Sequence, residues 1–505
     1  MSIRDMVGCL VSAIDILKML DNWSFWFGAN LTTLLGMTGR TPDFSDTQAE
    51  TTTPGSRKPM AVAITALAAT LILWLLQVTV GGMVVMVLFL LCQVVMISIV
   101  IWQACDPFAD AAQWIGKKLH IPGSIRGATL DAVASSLPEL FTGIFFVILP
   151  ILLVADPSNE ALQEGTGFAA TVATCAGSAV YNMILIPAIC AIYISYHRPA
   201  RPTIDIEDKV IVRDGLWFLG CEFVLIYFLF QPAMVWWMAL VLIGLYCVYV
   251  GILYQDARRY RRVARTLLQR FDVTTTTHEV MESLAADGMF VTRALVDKIR
   301  GPMVSGDQGG KEESEEHETA QILFGKFTVP LNGRTACAVI LIATAVTAVA
   351  CFWLVEVTRE TSSELGIPIF FVAVILAAAA SSVPDTFLSI GSAKRGDDDG
   401  AVSNAFGSNI FDICICLTVP LLLGSYLLGW KPIQITSETG EPLPGIYGLR
   451  ILLCVLTLIT LLIMWHNRQL TRRKAIVLCC LYAIFVGYAI AGSLGFTLER
   501  LVSGS

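Results

Sequence analysis

The sequence predicts an all-α polytopic membrane protein: two inverted-topology repeats of five transmembrane helices each, preceded by one extra N-terminal helix, about 11 spans in all. Three observations carry that expectation. Of 505 residues, 55% are hydrophobic and only 15% charged. A mean hydropathy of +0.69 is too high for a soluble chain of this length, and several runs exceed the ~20 apolar residues that cross a bilayer. Two distant stretches echo each other: Gly127-Ala-Thr-Leu-Asp-Ala-Val-Ala-Ser-Ser-Leu-Pro-Glu-Leu-Phe141 and Ile375-Leu-Ala-Ala-Ala-Ala-Ser-Ser-Val-Pro-Asp-Thr-Phe387. They agree in Ser, Ser, Pro, carboxylate and Phe at one offset of 246 residues (135 to 381, 138 to 384, 139 to 385). Finally, basic residues collect in alternate connections between the apolar runs, as a fixed orientation in the bilayer requires.

Residues 1–58 read as a cytoplasmic tail. Met6 to Leu20 looks amphipathic, Trp23 to Phe27 is aromatic-rich, and Thr41 to Pro59 is rich in Thr, Pro and Ser. An interfacial helix on a tether and a flexible tail with a few sticky residues both fit. The early Asp5 and the lack of a basic, apolar, small-residue succession argue against a cleaved signal peptide. A first span, 59–82, stands outside the duplication. Apolar runs near 83–104, 125–154, 166–195, 214–231 and 234–254 make a first half, 83–254. Runs near 335–357, 367–392, 400–428, 446–466 and 474–495 make a second, 335–497. The echoing motifs then fall on the second and third helices of each half. Five helices per half puts the two halves into the membrane from opposite sides.

Lys117, Lys118, Arg198, Arg201, Lys209, Arg213, Lys394, Arg395, Arg468, Arg472, Arg473, Lys474 and the Arg258 to Arg262 cluster lie on one set of loops, read as cytoplasmic. Asp156 to Glu160 and Glu356 to Glu364 lie on the other. The N-terminus is then inside and the C-terminus outside. Two sequons, Asn22-Trp-Ser24 and Asn30-Leu-Thr32, pull the other way, but such tripeptides arise by chance and the charge pattern outweighs them. Between the halves, residues 255–334 form a hydrophilic cytoplasmic loop with a basic helical start, Gly301-Pro302, Gly309-Gly310 and the acidic run Glu312 to Glu316. That run lacks the alternating ligands and turn glycine of an EF-hand, so a solvated segment is the better reading than a calcium sensor.

Fourteen cysteines are scattered singly, without zinc or redox spacing, and read as packing residues. No basic tract interleaved with aromatics suggests a nucleic acid, and no bound cofactor is expected. The implied partners are cations and the lipid bilayer.

Chemistry points to the echoes. Glu139 and Asp385 each follow a proline inside an apolar run. A charge at the bilayer centre costs roughly 2.5–3.5 kcal/mol, so such residues are kept for function. The proline frees a backbone carbonyl, and a broken helix at that depth is tolerated where it lines a cavity. No Lys or Arg lies within these segments to pair with the acids. Each motif has a second echo downstream, Ala176-Gly-Ser-Ala-Val-Tyr-Asn182 and Phe406-Gly-Ser-Asn-Ile-Phe-Asp412.

These four linked motifs resemble the two alpha-repeats of the sodium/calcium exchanger superfamily of cation/calcium antiporters, and Ser408-Asn-Ile-Phe-Asp412 resembles its potassium-dependent branch most. The resemblance is densest over 125–195 and 367–428 and leaves out the tail and central loop. It implies secondary active antiport of Ca²⁺ for Na⁺, with or without K⁺, by alternating access around a midplane carboxylate site in a plasma or organelle membrane. It implies that Glu139 and Asp385 clamp calcium from opposite repeats. The remaining oxygens for calcium and sodium would come from Ser135, Ser136, Ser178, Asn182, Ser381, Ser382, Ser408, Asn409 and Asp412. The physics agrees: calcium takes six to eight oxygens at about 2.3–2.6 Å, and helix geometry puts Ser135 and Glu139 on one face. Glu139, Asp385 and Asp412 sum to −3, which one Ca²⁺ plus one K⁺ neutralises, as do three Na⁺; leaving such a cluster bare in low dielectric is costly. Calcium and sodium are thus expected to compete for overlapping sites, and only a loaded cluster lets the broken helices slide.

Asp131 departs from the family pattern. A fourth carboxylate, a proton site, a group at the cytoplasmic mouth and a mere cap all remain open for it, and its repeat mate is Ala377. Ala134, where the family often has Gly, stiffens the same helix. Asp397-Asp-Asp399 reads as a polar cytoplasmic turn. The alternatives to calcium/sodium exchange are proton-coupled or other divalent exchange, a channel, and an intramembrane aspartyl protease. The last needs two carboxylates sharing a proton and has no Gly-x-Gly-Asp here.

Overall fold

The computed structural model describes residues 57–119, 127–153, 160–199, 201–206, 210–270, 277–286, 296, 319–394, 396, 398–436, 443 and 445–495. The expected interfacial helix, the sequons, most of the acidic stretch near 156–160 and the acidic run at 312–316 lie outside the described residues.

Within the described residues every apolar run is helical. In chain order the long elements are α1 (Arg57–Thr79), α2 (Met83–Lys118), α3 (a π-helical turn Gly127–Asp131 leading into Ala132–Leu153) and α4 (Glu160–Val180, π-turn Tyr181–Leu185, then Ile186–His197). Next come α5 (Val210–Gly215 then Leu216–Leu229) and α6 (Trp236–Arg270), which carries the basic cluster, followed by the short α7 (Thr277–Ala286). The second half contains α8 (Gly333–Leu365), α9 (Ile369–Val372, π-turn Ala373–Ala377, Ala378–Ser381) and α10 (Val383–Lys394). It closes with α11 (Asp398–Phe411, π-turn Asp412–Cys416, Thr418–Leu427), α12 (Ile446–Trp465) and α13 (Arg472–Ser493). Among the described residues eight helices are long and apolar enough to cross a membrane, and nine if α9 and α10, bent by 41° at their break, count as one span. The two remaining runs, α5 and α12, are shorter but pack inside the same bundle. The chain is a multi-pass integral membrane protein.

Burial is distributed accordingly. Leu341 and Leu462 are about 70% exposed, on faces that lipid must cover, while Glu139, Asp385 and Asp412 are fully buried. None of the α1 window is buried, so this helix sits outside the duplicated core, as an appended span should.

Among the described residues three two-stranded ladders join the connections: β1 (Ile204–Asp205) with β6 (Gln469–Leu470), β2 (Ala233–Met234) with β5 (Ile433–Gln434), and the hairpin β3 (Thr319–Ile322) with β4 (Phe327–Pro330). The first two report the topology. The loop after α4 pairs with the loop after α12, and the loop after α5 pairs with the loop after α11. Since α5 crosses the bundle once, the loop after α4 and its sequence counterpart after α11 lie at opposite ends, which is the signature of inverted repeats. The basic loops meet at one end: Arg198 pairs with Asp398 at 2.9 Å, Lys394 lies over Tyr193 and Arg472 over Tyr196. Asp398 is therefore more than part of a polar turn, since it opens α11 and takes the Arg198 guanidinium on both oxygens.

The π-turns also repeat. Gly127–Asp131 and Ala373–Ala377 are separated by the same 246 residues as the motifs, and single π-turns of this kind mark functional helices. The long helices α2 and α8 pack along each other, with Trp353 Nε1 donating to Gln93 Oε1 at 3.1 Å. A capping box at Asn332 and Thr335 starts α8, and Gly366, at φ +64°, ends it. The β3–β4 hairpin, in a stretch the sequence marks only as hydrophilic, docks on α2: Phe324 N donates to Gln103 Oε1 and Gln321 N to Asp110 Oδ2. Trp102 of α2 stands between Phe324 of the hairpin and Phe387 of α10, stacking on the latter at 3.8 Å. Cys105, Cys175, Cys190, Cys221, Cys351, Cys414 and Cys416 are buried as packing residues, whereas Cys247, Cys337 and Cys480 are exposed, and none is in a disulfide among the described residues.

Candidate functional site

The four motif segments converge on one buried polar cluster built from α3, α4, α9, α10 and α11. Ser135, Ser136, Glu139, Ser178, Asn182, Ser381, Ser382, Asp385, Ser408, Asn409 and Asp412 are all fully buried. Close approach is possible because Gly177 faces the π-turn of α9, where an added Cβ would overlap the Val374 carbonyl.

Contacts cross between the repeats throughout. Ser178 Oγ lies 3.1 Å from Glu139 Oε1 and 3.1 Å from Asp412 Oδ2. One hydroxyl has one proton, so it can donate to only one carboxylate at a time. Ser382 Oγ donates to Ser178 Oγ at 2.9 Å and reaches Glu139 Oε1 at 3.4 Å. On the other side of the cluster, Asn182 Nδ2 donates to Asp385 Oδ2 at 3.1 Å and Ser408 Oγ donates to the same oxygen at 3.0 Å. Ser136 and Ser408 hydroxyls meet at 2.8 Å. Ser135 and Ser381 bond back to Ala132 and Ala378, again 246 residues apart, and each also neighbours the other repeat's carboxylate, Asp385 and Glu139 respectively. Asn409 Nδ2 is turned to the Ala179 carbonyl at 3.0 Å. Thiols from the surrounding helices donate to backbone beside the motif, Cys416 to Ser136 O and Cys351 of α8 to Pro138 O.

What the cluster lacks is donors. Glu139 Oε2, Asn182 Oδ1, Asn409 Oδ1 and Asp412 Oδ1 are buried without a hydrogen-bond partner, and so is Thr142 Oγ1, one turn beyond Glu139. Buried acceptors are almost always satisfied, so a group of them implies a ligand that donates or carries positive charge. Among the described residues no three His, Cys, Asp or Glu side chains form a metal-holding group by themselves. The donor set is instead carboxylate, amide and hydroxyl oxygen, which suits hard cations of the Ca²⁺ and Na⁺ type.

Three residues of the cluster were not singled out by the motifs. Thr142 is one. Asn404 donates to Asp385 Oδ1 and to Ser389 Oγ, both at 3.3 Å, and Ser389 is itself fully buried. Asn404 lies four residues before Ser408 and eight before Asp412, so helical spacing on α11 was the available signal. Asp131 does not join the cluster. It is partly exposed and accepts from Gln113 Nε2 of α2 at 3.2 Å, toward the end of the bundle where the basic loops gather.

The family model described as sodium/calcium exchanger protein matches residues 89–255 and 335–491. Sodium/potassium/calcium exchanger 3 of Homo sapiens is 28% identical over 171 residues, 34% of this chain and 23% of that protein, so the match spans less than a quarter of that relative. Sodium/potassium/calcium exchanger 4 of Mus musculus is 22% identical over 515 residues, with 76% of this chain and 78% of that protein covered. Among solved structures, the H⁺/Ca²⁺ exchanger CAX superposes with a TM-score of 0.50 at 13% identity, covering 89% of this chain and 100% of that one, a likeness of fold.

Proposed function

Because this chain belongs to the sodium/calcium exchanger protein family, we propose that it is a secondary active antiporter that exchanges Ca²⁺ for Na⁺, with K⁺ bound at Asp412, by alternating access around the buried cluster. In this reading 83–254 and 335–497 are the two halves, and the partners are the transported cations and the surrounding lipid. The relatives bearing sodium, potassium and calcium in their names support the choice of ions, and the Ser408-Asn-Ile-Phe-Asp412 motif supports the place for potassium.

One observation carries the reading. Acceptor oxygens from both repeats, on Glu139, Thr142, Asn182, Asn409 and Asp412, are buried together and left without donors. A dehydrated cation supplies what they lack, and calcium's six to eight oxygens can be drawn from them, from Asp385 and from the serines. Glu139 and Asp412 compete for the single Ser178 proton. With both ionised, their repulsion across that hydroxyl is relieved only by positive charge between them. Three carboxylates set the ledger of charge: Ca²⁺ with K⁺, or three Na⁺, brings the site to neutrality, so the two loads exclude one another. Asp131, partly exposed and bonded to Gln113 of α2, lies outside this count.

The test is ⁴⁵Ca²⁺ uptake into proteoliposomes under imposed Na⁺, K⁺ or H⁺ gradients. Uptake is expected to require an outward Na⁺ gradient and to be abolished by Glu139→Gln. Asp412→Asn is expected to remove a K⁺ requirement while Na⁺-driven uptake survives. Uptake driven by H⁺ alone would replace sodium with protons as the counter-ion, and flux indifferent to any counter-ion gradient would mean a channel.

A further inference from the structure

Outside the cluster, another apolar stretch of the first half holds a buried acid. Glu222 lies in the middle of α5, in Leu216-Trp-Phe-Leu-Gly-Cys-Glu-Phe-Val-Leu-Ile-Tyr-Phe-Leu229, and is fully buried. Its Oε1 accepts from the Thr457 hydroxyl of α12 at 2.9 Å. Its Oε2 is buried with no hydrogen-bond partner. One turn further along α12, Thr460 is also fully buried with its hydroxyl unpartnered.

The groups around it are accounted for. Cys454, one turn before Thr457, is the titratable neighbour on α12. On α6, Tyr249 donates to Asp214, which is also paired with Arg213 at the start of α5. On α11, Cys414 meets Cys221, and Asp412 is bonded to Ser178. No basic side chain among the described residues neighbours Glu222. An ionised carboxylate with one hydroxyl donor at this depth would be an uncompensated charge. A sodium or potassium ion would need a cage of oxygens, whereas the Thr457 hydroxyl is the one oxygen bonded to this carboxylate among the described residues. A proton needs one free lone pair, which Oε2 offers.

We propose that Glu222 is a proton-binding site separate from the ion cluster, bridging α5 and α12 through Thr457. Its occupancy reaches the cluster through the preceding residue, since Cys221 meets Cys414, two positions beyond Asp412. When the proton leaves, the bare charge loosens the α5–α12 contact and shifts the π-turn that positions Asp412. The proton site stands whatever ions the cluster carries; only its effect on transport rests on the exchange reading.

The test uses the full-length protein in lipid with Ca²⁺ saturating, so that the cluster carboxylates are engaged. Infrared difference spectra between neutral and alkaline pH are expected to contain a carboxylic-acid C=O band that is lost in Glu222→Gln and retained in Glu139→Gln. In Thr457→Val, which removes the one hydroxyl donor, the band is expected to move to higher frequency. Identical spectra for the parent and Glu222→Gln would overturn the site, and so would an unmoved band in Thr457→Val should Glu222→Gln fail to reconstitute. For the coupling, the pH dependence of ⁴⁵Ca²⁺ uptake is expected to flatten in Glu222→Gln, and superimposable pH profiles would overturn it. A band assigned to Glu222 in a protein that moves no calcium would sink the exchange reading while leaving the proton site in place.

Discussion

Pro138 and Pro384 occupy equivalent places in the two repeats, yet the chain treats them differently. α3 carries Pro138 inside a continuous helix, Ala132–Leu153, whereas the second copy breaks at Ser382, bends by 41° and restarts with Pro384 in the first turn of α10. A proline in the first turn removes a donor that would be unpaired anyway, so the second copy is the relaxed one. The acids differ in step. Asp385 is held on both oxygens, by Asn182 and Ser408 on one and by Asn404 on the other. Glu139 is engaged on one oxygen and bare on the other. The longer side chain sits on the unbroken helix and reaches across to Ser178 and the second repeat; the shorter one stays among its donors. Duplication has thus yielded one carboxylate held on both oxygens and one with an oxygen left bare.

The widest break in that comparison comes from Glu139→Gln. Calcium uptake in proteoliposomes is expected to fall by more than the roughly 10–100-fold that outer-shell changes at metal sites cost; wild-type uptake would mean the bare oxygen is not where the ion goes. Next is Gly177→Ala, which wedges a methyl group between the repeats, against the Val374 carbonyl and 2.7 Å from Ala378 Cβ. It is expected to destabilise the protein by about 1–3 kcal/mol, the usual effect of overpacking, read as a lower thermal midpoint. Gly220→Ala, where nothing lies within 4 Å, is the control with no such loss. Asn404→Ala sharpens the comparison by releasing one oxygen of Asp385, and is expected to raise the half-saturating Ca²⁺ concentration about 10-fold. An unchanged value would show that the fixed acid needs no fixing. The smallest effect belongs to Asp131→Ala, about twofold or less in the same assay, as for a partly exposed substitution within ±0.5 kcal/mol; a changed Na⁺ to Ca²⁺ selectivity there would bring Asp131 into the site.

The spans were legible because bilayer thickness fixes the length of an apolar run. The inversion was legible because an odd number of helices per half leaves no choice. Membership of the cluster was legible too, since an acid in hydrocarbon is costly enough to stand out in a single sequence. Hidden from the sequence was which oxygens are satisfied. That depends on meetings such as Ser136 with Ser408 or Asn182 with Asp385, over 200 residues apart, which no local spacing encodes. Thr142, Ser389 and Asn404 escaped because a lone hydroxyl or amide on a helix is not costly enough to draw notice. Glu222 gave the same signal as Glu139, an acid inside an apolar run, but without a proline or an echo in the other repeat. The β3–β4 hairpin was masked by the charged stretch before it, although Phe324-Gly-Lys-Phe327 is a turn flanked by large side chains.

The two small ladders at opposite ends have a mechanical consequence. Strand hydrogen bonds splint the ends of α4, α5, α11 and α12 to one another on both faces of the bundle. Among the described residues no such splint ties α2 or α8 to that group; their own strand contact is the hairpin, which sits on α2 and leads directly into α8. Four helices are thus tied to one another at both ends of the bundle, while the two long helices α2 and α8 are linked through the hairpin instead.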